Sequence, residues 1–212
     1  MADRRCVTIR WALTALLIIG VNVALCLWAD PITARWGNVA ERSTVAVWFA
    51  TAAVPLGGPL PYVAAILLLL WAARTYGWPR GRQFAVLLPI VFAATGLGSF
   101  AVKIAVGRPR PFTLHQAAPT FEHAWQRRLD GRFQSFPSSD VMVAAGLATV
   151  LALLLERGRG RYALFLMPGL SAAGRILIAR HYPSDCLAAL VLGAVLAWVL
   201  RRLQERWLAR SP

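Results

Sequence analysis

Charged residues are scarce in this chain of 212 residues, and acidic ones are the scarcest. Asp, Glu, Lys and Arg together make up 15% of it, against about 25% in an ordinary soluble domain. There are 9 Asp and Glu against 23 Lys and Arg. Hydrophobic residues make up 58% of the chain, and many of them lie in long runs. This composition excludes a soluble domain with a large core and indicates an integral membrane protein.

Metal-binding residues are also few. The three cysteines, Cys6, Cys26 and Cys186, form no CxxC pair or other metal-ligand spacing, so we expect no metal cofactor. The formal net charge of +14 would suggest a nucleic-acid partner in a soluble protein. Here the basic residues cluster between apolar runs and leave no basic, aromatic-interleaved surface to bind a polynucleotide. We therefore expect the lipid bilayer, and not a nucleic acid, as the partner.

The apolar runs predict an all-α, polytopic membrane protein with about six transmembrane helices in one bundle, a single domain over residues 1–212. Each span needs roughly 20 mostly apolar residues. The predicted spans are residues 11–29, 62–76, 83–106, 141–155, 162–179 and 186–203. Prolines and glycines in residues 54–61 interrupt a further apolar run that starts at Thr44, which we interpret as a short re-entrant or tilted segment.

Arginine and lysine decide the predicted orientation. They are slightly more numerous on the face that carries both termini, and several on the opposite face belong to the motifs described below. By the positive-inside rule, both termini face the cytoplasm and the longest polar loop, residues 107–137, faces outward. The sequence therefore predicts a protein of a bacterial-type inner or plasma membrane whose motif residues lie on the periplasmic or extracellular side.

Three polar islands stand at the ends of the third, fourth and fifth predicted spans, all on that outer side. They are residues 103–111, 136–140 and 174–185. Lys103, Arg110 and Arg175 are cations in or beside apolar helices, where an unpartnered charge costs about 3 kcal/mol. Snorkelling to the interface explains any one of them. Three converging on one face indicate a polyanion such as phosphate, which arginine binds through paired donors and lysine as a point charge.

His181 and Asp185 in the third island are four residues apart, which places them on one face of a helical turn. Pro183 between them predicts that the helix starts near that residue. A neutral imidazole with one nitrogen hydrogen-bonded to a carboxylate keeps the other nitrogen free as a nucleophile. A structural His–Asp pair is the alternative, and the three cations around it favour the nucleophile.

Together the islands resemble the signature of the type 2 phosphatidic acid phosphatase and vanadium haloperoxidase superfamily, in its membrane lipid phosphatase branch. That signature reads Lys-x6-Arg-Pro, then Pro-Ser-Gly-His, then Ser-Arg-x5-His-x3-Asp. The matching positions are Lys103, Arg110, Pro111, Pro137, Ser138, Arg175, His181 and Asp185. Because so many residues match at fixed spacings, the resemblance is specific. It covers residues 83–203, the predicted phosphatase core, whereas the first third agrees only in hydropathy.

The resemblance implies roles for these residues. His181 would attack phosphorus and form a phosphohistidine, and Asp185 would orient it. The groups that would bind the phosphoryl oxygens are the side chains of Lys103, Arg110, Arg175 and Ser138 and the backbone N–H groups of Ser139 and Asp140. Those N–H groups would lie at the start of the fourth span, where the helix dipole favours an anion. Catalysis would rest on positioning and charge stabilisation, with no cofactor.

Asp140 departs from the family pattern, as do Ser139 in place of Gly and Gly174 in place of Ser, which are milder changes. Asp140 stands where the family has a second histidine, the expected general acid for the leaving oxygen. Beside a cationic cage its carboxylate should be ionised at neutral pH and donate a proton poorly. His115 or His123 in the outer loop is a candidate replacement, and Asp140 is also a candidate helix N-cap.

Three functions follow from these patterns. The leading one is hydrolysis of a lipid phosphate or lipid diphosphate at the outer leaflet; the others are transfer of the phosphate to another lipid, and binding of a lipid phosphate without turnover. The missing acid favours a diphosphate, whose leaving group is already a stable anion. Phosphatidic acid, phosphatidylglycerol phosphate, a polyprenyl diphosphate and a lipid A phosphate all present the same anion to the cage, and the pattern indicates no oligomeric state.

Overall fold

The computed structural model describes residues 2–40, 43–115, 119–155 and 158–210, and all regular structure within these ranges is helical. The all-α prediction is thereby confirmed. The α-helices are α1 (Ala2–Ala24), α2 (Asp30–Ala40), α3 (Thr44–Ala53), α4 (Pro59–Thr75), α5 (Pro79–Val106), α6 (Ala124–Leu129), α7 (Ser139–Leu155), α8 (Leu166–Leu177) and α9 (Pro183–Leu208). A π-helix over Leu25–Ala29 joins α1 to α2, and 3-10 turns occupy Val54–Gly57, Pro111–His115, Gly131–Phe133 and Arg159–Phe165.

Several of these helices can cross a membrane. Among the described residues, three stretches are long and apolar enough: Ala12–Arg35, Pro79–Leu114 and Pro183–Leu208. A bent pair, Thr44–Gly57 with Pro59–Thr75, provides a fourth if its two halves act as one span with a 45° bend. Helix α7 is apolar but has only 17 residues. The protein is therefore a polytopic membrane protein, and the count of six spans stays a prediction.

Two predicted spans have a different local structure. The break expected in residues 54–61 is present: α3 ends at Ala53 and α4 begins at Pro59, because proline suits a first helical turn but not a helix interior. The fifth predicted span, residues 162–179, is not one helix, since its first residues belong to the 3-10 turn and only Leu166–Leu177 is α-helical. Pro168 in the first turn of α8 cannot donate the hydrogen bond that would continue a helix from upstream.

Helix α7 lies at the centre of the bundle, and every residue from Val141 to Val150 is buried. A helix enclosed on all sides needs an apolar surface all round, which explains its almost wholly apolar sequence. Its closest neighbour is α9, where a Cβ on Gly193 would collide with the carbonyl oxygen of Met142. Only glycine permits this backbone contact, a common device between membrane helices.

Candidate functional site

Backbone hydrogen bonds within or directly beside the three predicted islands bring them together at one end of the bundle. These bonds run from Ser135 N–H to the Arg108 carbonyl (3.0 Å), from Ser138 N–H to the Asp185 carbonyl (3.4 Å) and from Phe112 N–H to the Ala179 carbonyl (3.2 Å). The C-terminal end of α5 and the N-terminal ends of α7 and α9 therefore meet. A cavity of about 490 Å³ at the other end of α5 and α9, lined by Trp78 and Trp207 among others, contains none of the predicted site residues.

His181 is buried, with 2% of its surface exposed, and it precedes α9, which begins at Pro183 as predicted. Its Nδ1 lies 2.6 Å from the backbone carbonyl oxygen of Ser135. Since a carbonyl only accepts, Nδ1 carries the proton and Nε2 keeps its lone pair. Burial lowers the pKa of the imidazole, and the positive charges of Arg110 and Lys103 act in the same direction against Asp185. The ring is therefore neutral near pH 7.

Asp185 does not bond to His181 directly, contrary to the sequence-based expectation. Its Oδ2 is 3.9 Å from Nδ1 of His181, too far for a hydrogen bond. Both of its carboxylate oxygens already accept hydrogen bonds. Arg108 donates to Oδ1, the Ser135 hydroxyl donates to Oδ2, and the Tyr182 N–H donates to Oδ2 at 2.9 Å. Asp185 thus holds Ser135, and the Ser135 carbonyl holds the imidazole.

The three predicted phosphate-binding cations lie close together. The positive charges of Lys103, Arg110 and Arg175 act on one another. Those of Lys103 and Arg110 also act on His181. Lys103 is 7% exposed, on the last turn of α5. Arg110 is anchored by a hydrogen bond of 2.8 Å from its Nε to the Gly131 carbonyl. Like charges gathered in a poorly solvated place repel one another, so the arrangement suits a bound polyanion.

Asp140 forms an ion pair with one of these cations. Its Oδ2 lies 2.7 Å from Nη2 of Arg175. Helix α7 begins at Ser139, so Asp140 lies in the first turn and the N-cap interpretation is wrong. The turn before α4 covers this position tightly, since a Cβ on Gly57 would be 2.5 Å from the Asp140 Cα. Among the described residues, nothing bonds to the buried Nε of Arg175, so the guanidinium keeps a donor for a ligand.

The two serines of the second island differ. The buried hydroxyl of Ser138 has no hydrogen-bond partner within the described part of the chain. An unsatisfied buried hydroxyl costs about 1–3 kcal/mol, which a phosphate oxygen would relieve. The Ser139 hydroxyl is instead bonded to that of Ser99 on α5, at 2.9 Å. For Ser139 the backbone N–H, like that of Asp140, stays a predicted anion donor.

Of the two outer-loop histidines, the structure describes the side chain of His123. His123 stacks on Trp125 in the adjoining helix α6, with ring centroids 6.2 Å apart, and no contact in the described ranges joins it to His181. The His115 side chain lies outside the described part of the chain. Replacement of the missing acid by either histidine stays a prediction.

Three residues at the site carried no sequence prediction: Asp30, Arg108 and Ser135. Arg108 lies in the unspecified stretch between Lys103 and Arg110, and Ser135 precedes the second island, so the family signature covers neither. Asp30 ends the first apolar run. An acid in a membrane helix is itself a signal of a polar partner, and it would have pointed to Asp30.

Comparison with known proteins gives one family. A family model described as the PAP2 superfamily matches residues 84–209, more than half of the chain. Undecaprenyl-diphosphatase BcrC of Bacillus subtilis is 26% identical over 143 residues, which are 68% of this chain and 69% of that protein. Lipid A 4'-phosphatase of Bacteroides thetaiotaomicron is 26% identical over 153 residues, 71% of this chain and 66% of that protein.

Two further proteins are similar to part or all of the chain. Lipid A 1-phosphatase of Rhizobium johnstonii is 32% identical over 111 residues, 50% of this chain and 41% of that protein. The crystal structure of a transmembrane PAP2 type phosphatidylglycerolphosphate phosphatase from Bacillus subtilis is 20% identical. It covers 87% of this chain and 96% of its own, with a TM-score of 0.43. The chain spans about two thirds of the first two curated relatives and less than half of the third.

Proposed function

The chain belongs to the PAP2 superfamily, and from this premise we propose that it is a membrane phosphatase that removes phosphate from a lipid phosphate or lipid diphosphate. The observation that carries the proposal is the state of His181. Its Nδ1 is committed to the Ser135 carbonyl and burial keeps the ring neutral, so Nε2 is available for attack beside Lys103 and Arg110. The curated relatives are named as phosphatases of lipids or of a lipid diphosphate, which supports the same reaction.

In the proposed reaction, the terminal phosphoryl group binds between Lys103, Arg110 and Arg175, with the free Ser138 hydroxyl donating to one oxygen. Nε2 of His181 attacks phosphorus, the P–N bond forms, and the bond to the leaving oxygen breaks. The ring becomes cationic, and its Nδ1 proton stays hydrogen-bonded to the Ser135 carbonyl, which stabilises that charge. Water then attacks the phosphohistidine, and inorganic phosphate leaves with regeneration of neutral His181.

The leaving group indicates the substrate class. An alkoxide from a monophosphate needs a proton in the transition state, whereas a lipid monophosphate leaving from a diphosphate has a second pKa of about 6 and needs none. Asp140 is an acceptor paired with Arg175 and has no proton to give. A lipid diphosphate is therefore the favoured substrate.

The proposed position of the site is the outer face of the membrane, because the excess of basic residues at the other end favours cytoplasmic termini.

The direct test is a phosphate-release assay on the purified chain with one substrate from each class: phosphatidic acid, phosphatidylglycerol phosphate, a polyprenyl diphosphate and a lipid A phosphate. Multiple-turnover release of inorganic phosphate from the diphosphate, at the highest rate of the four, supports the proposal. Release that requires a lipid acceptor would identify a phosphotransferase. Binding of all four without turnover would identify a lipid-phosphate binder and refute the proposal.

A further inference from the structure

Asp30 is a buried carboxylate in a helix that otherwise faces outward. It lies in the apolar stretch Ala12–Arg35, yet it is only 3% exposed, whereas Leu27 and Trp28 beside it are 65% and 75% exposed. An ionisable residue within a membrane helix is expensive unless it faces the bundle interior and has a partner there. Asp30 meets both conditions, and its partners belong to the site.

The backbone turns Asp30 inward by a π-helix. The Asp30 N–H bonds to the carbonyl of Leu25, five residues back, and not to that of Cys26. Pro31 comes next and has no N–H with which to restore the α-helical pattern. One extra residue in a turn rotates the downstream helix by about 100°, and such π segments are frequent at functional sites. Asn22 on the same helix makes a second contact, from Nδ2 to the Ser184 carbonyl at 3.0 Å.

Arg108 joins Asp30 to the proposed active site. Its Nη2 lies 2.7 Å from Oδ2 of Asp30, while its Nη1 donates to Asp185 and, at 2.8 Å, to the Ser184 hydroxyl. Its guanidinium carbon is 4.2 Å from the ring centroid of Tyr182. One planar guanidinium thus bridges two carboxylates, a geometry that the point charge of a lysine cannot reproduce.

Asp30 also holds the first turn of α9 directly. Its Oδ1 accepts from the Ser184 N–H at 3.2 Å, and its Oδ2 accepts from the Ser184 hydroxyl. Ser184 and Asp185 are adjacent, so the two acids and Arg108 fix the same turn from both sides. From Asp185 the chain of contacts continues through Ser135 to the Nδ1 of His181.

We infer that Asp30 and Arg108 are positioning residues: they fix the first turn of α9 and, through Asp185 and Ser135, set the orientation of the His181 imidazole. This inference rests on the proposed function for its catalytic consequence. Neither residue acts on the phosphoryl group; they act through Asp185. Asp30 and Asn22 lie before the family-matched residues 84–209, so the N-terminal third of the chain completes a site whose reacting groups all lie in that matched segment.

The charges predict an order of effects. Without Asp30, Arg108 keeps Asp185 as its partner and the turn loosens. Without Arg108, two buried carboxylates face each other across Ser184 with no cation between them, which is the larger loss. A displacement of the nucleophile by about 1 Å can lower a rate by about 10²-fold. We therefore expect Asp30→Asn to lower kcat by about 10-fold to 100-fold, and Arg108→Ala by more.

The experiment compares Asp30→Asn with Glu205→Gln in the purified full chain. Glu205 is the matched control, because it is also an acid that contacts two arginines, Arg201 and Arg202 at 3.1 and 3.2 Å, but at the far end of α9. The first measurement is kcat and KM for phosphate release. The second is the NMR signal of the hydrogen-bonded Nδ1 proton of His181 in protein with nitrogen-15-labelled histidine, assigned by its loss in His181→Ala.

Positioning predicts that Asp30→Asn lowers kcat at nearly unchanged KM and shifts or broadens the Nδ1 proton signal, while Glu205→Gln changes neither. An unaltered kcat and signal in Asp30→Asn overturns the inference, as does an equal change in Glu205→Gln. If Asp30→Asn does not fold, Arg108→Lys carries the same test, with the same kcat and signal changes expected and their absence overturning the inference. If the wild type releases no phosphate, the proposed function fails, and the proton signal alone still decides whether Asp30 positions His181.

Discussion

Substitution of Asp140 by histidine should change the substrate preference of the proposed phosphatase. In the wild type the Asp140 carboxylate pairs with Arg175 at 2.7 Å, and a carboxylate in an ion pair acts as an acceptor. A general acid contributes about 10²–10⁴ to a rate, and only the monophosphate needs one. We therefore expect the wild type to favour a diphosphate over a monophosphate with the same lipid tail by about 10²-fold or more in kcat/KM.

A second effect of the substitution is release of Arg175 from its ion pair. The paired side chains are 19% and 29% exposed, so the pair contributes about 1 kcal/mol, or about fivefold in binding. This gain applies to both substrates, since each presents a terminal phosphoryl group. It therefore cancels in the ratio of their kcat/KM values, and a change in that ratio reports the proton alone.

Asp140→Asn is the matched control, because it also breaks the ion pair but supplies no acid. The assay is phosphate release from both substrates by wild type, Asp140→His and Asp140→Asn at several pH values. We expect Asp140→His to raise the monophosphate rate selectively and Asp140→Asn to leave the ratio unchanged. Equal wild-type rates on the two substrates, or the same shift in both variants, would refute the reasoning and show that the proton comes from elsewhere.

The remaining predictions concern the nucleophile, the phosphate-binding cations, pH and topology. His181→Ala should abolish phosphate release in a protein that still folds, and turnover by this variant would contradict a role as nucleophile. Lys103→Ala should weaken inhibition by orthovanadate, and unchanged inhibition would contradict a role in phosphate binding. Because burial lowers the pKa of His181, the acid limb of the kcat profile should lie below about pH 6.5, and an acid limb above it would contradict a buried neutral imidazole. Over the same range the unfolded chain binds a proton that the folded ring does not, so stability should fall as pH falls below about 6.5. In a chain without its native cysteines, a cysteine in place of Trp125, which is 58% exposed, should react with an impermeant thiol reagent added to intact cells. Labelling only after permeabilisation would place the site on the inner face.

The parts of the site predictable from sequence are those set by local spacing. Pro183 marks the start of α9, and the motif residues sit at the ends of helices that the apolar runs predict. The turn at residues 54–61 is predictable for the same reason, because proline and glycine act on the backbone where they stand. The division of the fifth predicted span is not predictable from the sequence, since Tyr162–Phe165 are apolar or aromatic and hydropathy does not separate a 3-10 turn from an α-helix.

Contacts between distant segments were not predictable. Arg108 and Asp30 are 78 positions apart, and the packing of α2 against the Pro111–His115 turn and α9 brings them together. The partner of His181 is a backbone carbonyl 46 positions away. Because every residue has such a carbonyl, no side-chain pattern marks Ser135 as the acceptor, and the i, i+4 spacing suggested Asp185 instead. The sequence pattern thus identifies groups that can react, and the tertiary structure decides which groups orient them.

Trapping the covalent intermediate would show whether His181 is the nucleophile. The purified chain is mixed with a lipid diphosphate labelled with phosphorus-32 in its terminal phosphate, quenched within one turnover in alkali, and digested for peptide mapping. A His181 nucleophile predicts label on the peptide containing His181, stable in alkali and lost in acid as expected of a phosphohistidine, and absent from His181→Ala. Phosphate release by the wild type with no labelled protein, or with label on another residue, would contradict it.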